Sequence, residues 1–248
     1  MSTERDSRVT AGRAGPRRAT NGYAAGQATR VRLIESAEAL FAERGVAGVS
    51  LNEVRTAAGQ SNAAAVNYHF GSKENLIKAI LEHRLTRIES DRAEMLRALD
   101  SEGRTGDVRG LLEALIEPQA HSIERNERYV GFISQLVIGE SGWFSEYTLL
   151  MTDPGLIPGG LRIDRLLHAR LGHLPEPVAD RRLMFVYAGA LQALARHQLH
   201  RDSGEAPPTP LFVSELIDML SATLTAPVSE QTRDQLAAQS SSVSAPTS

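Results

Sequence analysis

The sequence predicts an all-α protein, with a small three-helix domain near the N-terminus and a larger helical domain after it. Apolar residues recur at three- and four-residue intervals along most of the chain, as on one face of an amphipathic helix. Alternating β-branched runs bounded by turn dipeptides, which would indicate strands, are missing from the sequence. Aromatic residues make up only 5% of the chain, while good helix formers such as Ala, Leu, Arg and Glu recur throughout.

The composition also excludes several classes of site. The chain has no cysteine, so a disulfide framework and thiolate metal sites are excluded and a reducing compartment is expected. No apolar run reaches the roughly 18–20 residues of a membrane span, and the polar first 30 residues lack the apolar core of a secretory signal. We therefore expect a cytoplasmic protein without a membrane partner.

Charge is distributed unevenly along the chain. Residues 1–84 hold 12 Lys and Arg against 8 Asp and Glu, whereas residues 85–248 hold 15 against 22. A basic first part on an acidic remainder is typical of a polyanion partner for the first part alone, although so small an excess also arises by chance.

Helix signals follow one another closely in the N-terminal domain, predicted at residues 27–73 after a disordered basic tail at 1–26. The first helix, predicted at 28–44, ends at Gly45. Ser50 and Glu53 have the spacing of a capping box for a second helix, which Gly59 ends. Ser61 is expected to cap a short third helix at 62–68, and Ser72 a long fourth helix at 73–99. The apolar stripes of these helices comprise Leu33, Ile34, Ala37, Leu40, Phe41, Leu51, Val54, Ala58, Leu76, Ile77, Ile80, Leu81 and Ile88.

Two short helices joined by a glycine-containing turn form a helix-turn-helix, which places its second helix in the major groove of DNA. Small side chains in that helix allow a close approach to the bases, and Asn62 is followed by three alanines. An asparagine can bond an adenine at two points. Tyr68, His69 and Lys73 are expected to reach phosphates, together with amides at the start of the fourth helix. Short helix pairs of this kind also occur in proteins that bind no DNA.

The exact residues favour the DNA-binding alternative. The segment 29–80 resembles the tetracycline-repressor (TetR) family in three stretches: LFAERG at 40–45, SLNEVRTAAG at 50–59 and YHFGSKENL at 68–76. The resemblance implies a homodimeric regulator with a three-helix DNA-binding domain and a larger domain that dimerises and binds a small molecule. It further implies repression at a near-palindromic operator. The residues expected at the DNA are Arg30, Ser50, Gln60, Ser61, Asn62, Ala63, Asn67, Tyr68, His69 and Lys73.

The chain departs from the commonest family pattern at two points. One additional residue separates Gly59 from Tyr68, and Asn67 stands where an aromatic residue is frequent. Which face of the third helix meets the bases therefore stays open. Arginines in the N-terminal tail are candidates for a DNA-binding arm, but a solvated tail is the simpler interpretation.

The C-terminal domain is predicted at residues 74–225, before a second disordered tail at 226–248. Beyond the fourth helix we expect helices at 107–122, 125–138, 161–171, 178–201 and 211–224, with a further short helix at 144–151. The last two long helices are predicted to pair with their symmetry mates in a four-helix dimer interface. The alternative is that both only complete the monomer core.

An apolar effector pocket is predicted between the C-terminal helices, although most of its candidates would be ordinary core residues in any helical domain. The candidates are Leu111, Leu115, Phe132, Leu136, Trp143, Phe144, Tyr147, Met151, Phe185 and Tyr187. We expect a mostly hydrophobic ligand with one polar end, and the fourth helix is the expected lever between ligand and DNA.

Other classes of protein fit the sequence less well. Residues 139–142 fall one short of a nucleophile elbow, and no glycine-rich phosphate loop follows a strand, so no enzyme and no cofactor are expected. His197 and His200 share a helix face without a third ligand, and a solvated pair is favoured over a metal site. A helical interaction protein, or a DNA-binding protein without an effector, is the alternative.

Overall fold

A computed structural model describes residues 17–138 and 154–243, and ten α-helices account for most of both ranges. No strand occurs in these ranges, so the all-α prediction is confirmed. A 3-10 helix at Pro154–Leu156 precedes α7. The helices are α1 (Arg17–Arg44), α2 (Leu51–Ala57), α3 (Ala65–Phe70), α4 (Lys73–Ser101), α5 (Val108–Glu124), α6 (Tyr129–Ile138), α7 (Pro158–Arg170), α8 (Glu176–Asp202), α9 (Thr209–Thr225) and α10 (Glu230–Val243).

The chain divides into two compact units. The N-terminal unit combines residues up to Ala37 with Ser50–Ile80, and the C-terminal unit combines Glu38–Val49 with residues from Leu81 onward. The last turns of α1 count with the C-terminal unit because their side chains pack there: the Phe41 ring lies 6.1 Å from that of Phe132 on α6. A domain boundary between residues 73 and 74, as predicted from the sequence, does not show that the end of α1 packs with the C-terminal unit.

The core of the N-terminal unit follows the predicted stripes. Leu33 and Ile34 on α1 and Leu76 and Ile80 on α4 are fully buried, and Val54 on α2 joins them. Three stripe residues are only half-buried: Leu40, Leu51 and Ile77.

In the C-terminal unit, α5 packs against α6, α7 and α9, while α8 packs against α6, α7 and α9. The predicted pair of long helices is therefore in contact within the monomer. Fully buried side chains include Leu111, Phe132, Ile163, Val186 and Leu224.

The predicted disordered tails are partly helical. Helix α1 begins at Arg17, inside the predicted tail at 1–26, because Ala and Arg residues there extend a helix that is already nucleated. Helix α10 occupies much of the other tail: the Ser229 hydroxyl accepts a hydrogen bond from the Thr232 amide at 3.3 Å, and Gln, Leu and Ala residues follow. Low hydrophobicity alone did not distinguish a polar helix from a disordered segment.

Within the described ranges no single helix is long and apolar enough to cross a membrane. Helices α9 and α10 meet the length and composition criteria only when joined, and they are bent by 53° at the break between them.

Candidate DNA-binding surface and ligand cavity

A capping box fixes the start of α2. The Glu53 amide donates to the Ser50 hydroxyl oxygen at 3.3 Å, and the Ser50 amide donates to the Glu53 carboxylate at 2.8 Å. The Ser50 hydroxyl also donates to that carboxylate at 2.7 Å. Ser50 therefore caps α2, and its predicted contact with DNA stays a prediction.

The turn after α2 is held by Arg55. Gly59 takes the left-handed conformation, with φ of 66°, which a residue with a side chain adopts at a cost. The Gln60 amide donates to the Arg55 carbonyl at 3.0 Å, and the Arg55 guanidinium donates back to the Gln60 carbonyl. The Gln60 side chain donates to the Ala58 carbonyl at 3.2 Å. The sequence analysis did not identify Arg55, because its hydrogen bond to the Gln60 carbonyl depends on the turn between them.

The third helix is shorter than predicted and begins later, at Ala65. The Asn62 side-chain oxygen accepts a hydrogen bond from the Ala64 amide at 3.0 Å, and its carbonyl accepts from Ala65 at 3.1 Å. An asparagine that bonds its own backbone in this way stabilises a turn in place of a helix. No side chain caps the helix, so Ser61 does not have its predicted role. Asn62 lies in the turn before α3, and the extra residue of this chain is accommodated there.

One face of α3 is open to solvent and the other is buried. Ala65, Val66 and Phe70 pack inward, whereas Asn67 is exposed and Tyr68 is 83% exposed. The turn residues Ser61, Asn62, Ala63 and Ala64 are exposed as well. The exposed residues are therefore the small side chains of the turn, at 61–64, and the polar side chains of α3 at 67 and 68.

Two aromatic contacts border this stretch. The Tyr68 and His69 rings meet edge to face at 5.1 Å, and the Arg30 guanidinium lies 5.3 Å from the centre of the Phe70 ring. The second contact is of the cation–π kind and ties α1 to the end of α3. The Arg30 guanidinium therefore lies next to the end of α3.

The N-terminus of α4 is already occupied by its own side chains. The Ser72 hydroxyl oxygen accepts from the Asn75 amide at 3.2 Å. Hydrogen bonds from its own backbone amide and from Ser72 lower the pKa of Glu74, helped by the charge of Lys73. The predicted phosphate contacts of Tyr68, Lys73 and the amides at the start of α4 stay a prediction.

The C-terminal unit contains a cavity of about 580 Å³. Residues of α4, α5, α6, α7 and α8 line it, and most of them are apolar. This volume lies within the range of sites for small organic molecules, roughly 300–1,000 Å³. The apolar lining comprises Leu85, Ile88, Leu115, Ile116, Tyr129, Ile133, Val137, Ile157, Leu161, Leu183, Met184, Ala188, Ala190 and Leu191.

One wall of the cavity is polar and is formed by α7 and α8. The Tyr187 hydroxyl donates to an Asp164 carboxylate oxygen at 2.8 Å, and His168 lies 3.4 Å from the same oxygen. The other ring nitrogen of His168 lies 3.3 Å from Asp180. Burial lowers the pKa of His168, but the Asp164 carbonyl and both aspartate charges outweigh it and raise the pKa above its usual 6.5.

The lining also contains Arg92, whose side chain is buried and hydrogen-bonded within the fold. Pro118 has no amide hydrogen, so the Ala114 carbonyl lacks its usual helix partner. Arg92 donates to that carbonyl at 3.2 Å and to the Leu115 carbonyl at 3.1 Å, and it pairs with Glu89. The charge and hydrogen bonds of this arginine therefore complete α5.

Among the predicted pocket residues that the structure describes, only Leu115 and Tyr187 line the cavity. Leu111, Phe132 and Leu136 are buried elsewhere in the core, and Phe185 is 60% exposed. Trp143, Phe144, Tyr147 and Met151 lie outside the described residues. Arg92, Asp164, His168 and Asp180 were missed because they reach the cavity only through the packing of separate helices.

Comparisons with known proteins agree with the N-terminal unit. Residues 33–80 match the model of the bacterial regulatory proteins of the tetR family. The chain is 33% identical over 85 residues to the transcriptional repressor AcnR of Corynebacterium glutamicum, covering 34% of this chain and 41% of AcnR. It is 38% identical over 78 residues to the repressor Rv3405c of Mycobacterium tuberculosis, covering 29% and 41% of the two chains.

A solved structure of RolR in complex with resorcinol aligns with 84% of this chain and 98% of its own, at 20% identity and a TM-score of 0.41. The helix-turn-helix together with the match at residues 33–80 defines a DNA-binding class of bacterial regulators. Over residues 33–80 the chain is similar to the tetR family. The curated relatives are matched over less than half of their length, through this N-terminal part.

Proposed function

We propose that the protein is a homodimeric transcriptional regulator, a repressor that leaves a near-palindromic operator when a small molecule fills its cavity. The exposed face of α3 and its preceding turn carries this proposal. Its alanines allow a close approach to base edges, and Asn62, Asn67 and Tyr68 supply groups for bases and phosphates. The proposal contains no catalytic step.

Exposed apolar side chains on α8 and α9 support the dimer. Among the described residues, four of the five large hydrophobic side chains that are exposed belong to these two helices: Phe185, Leu199, Leu211 and Met219. Phe185 and Leu199 are fourteen residues apart, close to four full turns, and so share one face of α8. Pairing α8 and α9 with their symmetry mates would remove these side chains from water.

The cavity supports control by a small molecule. A ligand releases DNA only if it binds the DNA-incompetent conformation more tightly, with about 1.4 kcal/mol of difference for each tenfold change. Helix α4 begins in the N-terminal unit and supplies Leu85, Ile88 and Arg92 to the cavity. We infer that it transmits the effect of the ligand.

The operator test uses the full-length protein and a pool of random DNA duplexes. Repeated selection and sequencing should enrich a near-palindrome with half-sites about 10 base pairs apart. If the protein retains DNA but no sequence is enriched, it is an unspecific DNA binder. If it retains no DNA, it is a helical interaction protein. Sedimentation should give a dimer, which Leu199→Glu converts to a monomer.

Substitutions on the exposed face then test its chemistry. Tyr68→Ala and Lys73→Ala should weaken binding to all sequences, and Lys73→Ala should reduce the slope of log affinity against log salt by about one. Asn62→Ala should change base preference instead. Lys78→Ala is the matched control, because five residues along α4 turn its side chain by about 140° from Lys73. Equal effects of both lysine substitutions, with unaltered binding in the other two variants, would exclude this face.

A further inference from the structure

We propose that the cavity binds an apolar organic cation, an amine whose ammonium group contacts Asp164 and Asp180 while its hydrophobic part fills the remaining space. The inference rests on the proposed function only in assigning the effector to this cavity. It adds the chemical class of the ligand, which follows from the charges and hydrogen bonds of the walls.

The charge balance of the described lining is negative. Its charged side chains are Arg92, Asp164 and Asp180, and His168 adds a positive charge only when protonated. The charge of Arg92 is balanced by Glu89, with which it forms an ion pair. Two carboxylates therefore face at most one imidazolium, and an anionic ligand would meet a net negative wall.

A carboxylate ligand would have to compete with Glu89 for the charge of Arg92. Arg92 is 3% exposed, and it donates to the Ala114 carbonyl, which Pro118 leaves without its helix partner, and to the Leu115 carbonyl. Its partner Glu89 accepts a further hydrogen bond from the Gly159 amide at 2.6 Å. Drawing Arg92 toward a ligand would leave buried acceptors unsatisfied, at a cost comparable to the hydrogen bond gained.

The two aspartates, by contrast, retain capacity to accept. The contacts described for Asp164 and Asp180 all use Oδ1, with Tyr187 and His168 as the partners. Within the described part of the chain the second oxygen of each carboxylate is left for a ligand. Both side chains are partly exposed, at 37% and 57%, so an ammonium group can reach them from solvent.

The remaining lining accounts for the apolar part of the ligand. Fifteen of the side chains around the cavity are hydrocarbon, Met or Tyr groups, and all but that of Ile157 belong to five helices. Residues 139–153, outside the described ranges, contain three acidic residues and no Lys, Arg or His, so this segment adds no positive charge to any wall.

The test compares ligands that share one skeleton and differ only in charge. Two sets serve: phenylbutylamine, phenylbutanol and phenylbutyrate; and octylamine, octanol and octanoate. Binding to the full-length protein is measured by calorimetry at about pH 8, well below the ordinary pKa of an alkylammonium group, which is about 10. In at least one set the amine should bind about tenfold more tightly than the alcohol, because its hydrogen bond to a carboxylate is charge-assisted. The carboxylate should bind most weakly.

Variants test whether the preference for the amine depends on Asp164 and Asp180. Replacing both aspartates, Asp164→Asn with Asp180→Asn, should bring amine and alcohol to within about twofold of each other. Asp100→Asn is the control, because it removes an aspartate that pairs with Arg162 at 2.6 Å and does not line the cavity. Circular dichroism checks that the variants fold, and the comparison within the unaltered protein does not depend on them.

Each result decides the inference. Tighter binding of an alcohol or carboxylate than of its amine overturns it, and so does the absence of binding by all six compounds. An amine preference that survives the double substitution also overturns it. Operator binding measured on the same preparation separates the two proposals: DNA binding without an amine preference removes this inference alone, and amine binding without any DNA recognition removes the regulator function alone.

Discussion

The substitution Arg84→Met removes the partner of the most deeply buried carboxylate among the described residues of the C-terminal unit. Glu38, near the end of α1, is only 1% exposed and accepts from Arg84 at 2.6 Å and 3.2 Å. The Arg128 amide at the start of α6 donates to it at 2.7 Å. Arg84 also pairs with Glu127 at 3.1 Å. One arginine on α4 therefore neutralises two carboxylates and joins the end of α1 to α6.

The magnitude follows from the burial of both partners. The side chains of Arg84 and Glu38 are 12% and 1% exposed, so water replaces little of the lost interaction. Removing one member of a buried ion pair costs about 3–5 kcal/mol, because an uncompensated charge remains. Replacing both members with Met should cost less than Arg84→Met alone, since no unpaired charge is then buried.

Urea unfolding of the full-length protein, at one fixed protein concentration, measures these differences. The matched control is Arg104→Met, which also removes an arginine with two carboxylate partners, Glu102 and Asp107, but at an exposed site. Its free energy of unfolding should not change measurably. Equal losses at the buried and exposed arginines, or a double variant less stable than Arg84→Met, would refute this account of the pair.

Two further predictions concern stability. Gly159→Ala should destabilise the protein by about 1–3 kcal/mol in thermal melts, because a Cβ there would lie 2.8 Å from a Glu89 carboxylate oxygen. Gly160→Ala is the control: the nearest contact of its Cβ would be 3.5 Å, so this variant should melt at a temperature at least as high as that of the unaltered protein. The second prediction concerns His197, whose pKa is lowered below 6.5 by burial and then by the neighbouring charges of Arg201 and His200. The native state therefore binds fewer protons than the unfolded chain. The free energy of unfolding should fall as the pH drops below about 6.5. His197→Gln should flatten this decline in urea titrations at several pH values. The exposed His173 is not among the groups that lower the pKa of His197, so His173→Gln should not flatten it; equal curves for both would contradict the assignment.

His197 also shows where a sequence-based interpretation failed. The spacing of His197 and His200 favours a solvated pair, yet His197 is 3% exposed. Its ring stacks on Phe212 at 4.2 Å and bonds to the Thr209 hydroxyl oxygen at 3.1 Å. Both partners belong to α9, so the burial depends on the packing of α9 against α8. Helical periodicity within α8 contains no information about that neighbour.

The third helix gives the same lesson at shorter range. Its existence and its buried residues Val66 and Phe70 follow from spacing, but its first residue does not. Asn62 can cap a helix or bond its own backbone in a turn, and the two alternatives differ by a single hydrogen bond. The choice rests on the turn as a whole, including the bonds between Arg55 and Gln60.

By itself the sequence determined the helical class, the order and approximate bounds of the helices, the capping box at Ser50 and the family of the N-terminal unit. These features depend on residues within a few turns of one another, where spacing fixes which side chains meet. The tertiary structure alone decided the return of Glu38–Val49 to the C-terminal unit and the composition of the cavity walls. Those contacts join residues far apart in the chain, such as Arg92 with Ala114 and Tyr187 with Asp164, and they form only when several helices bury their apolar faces together.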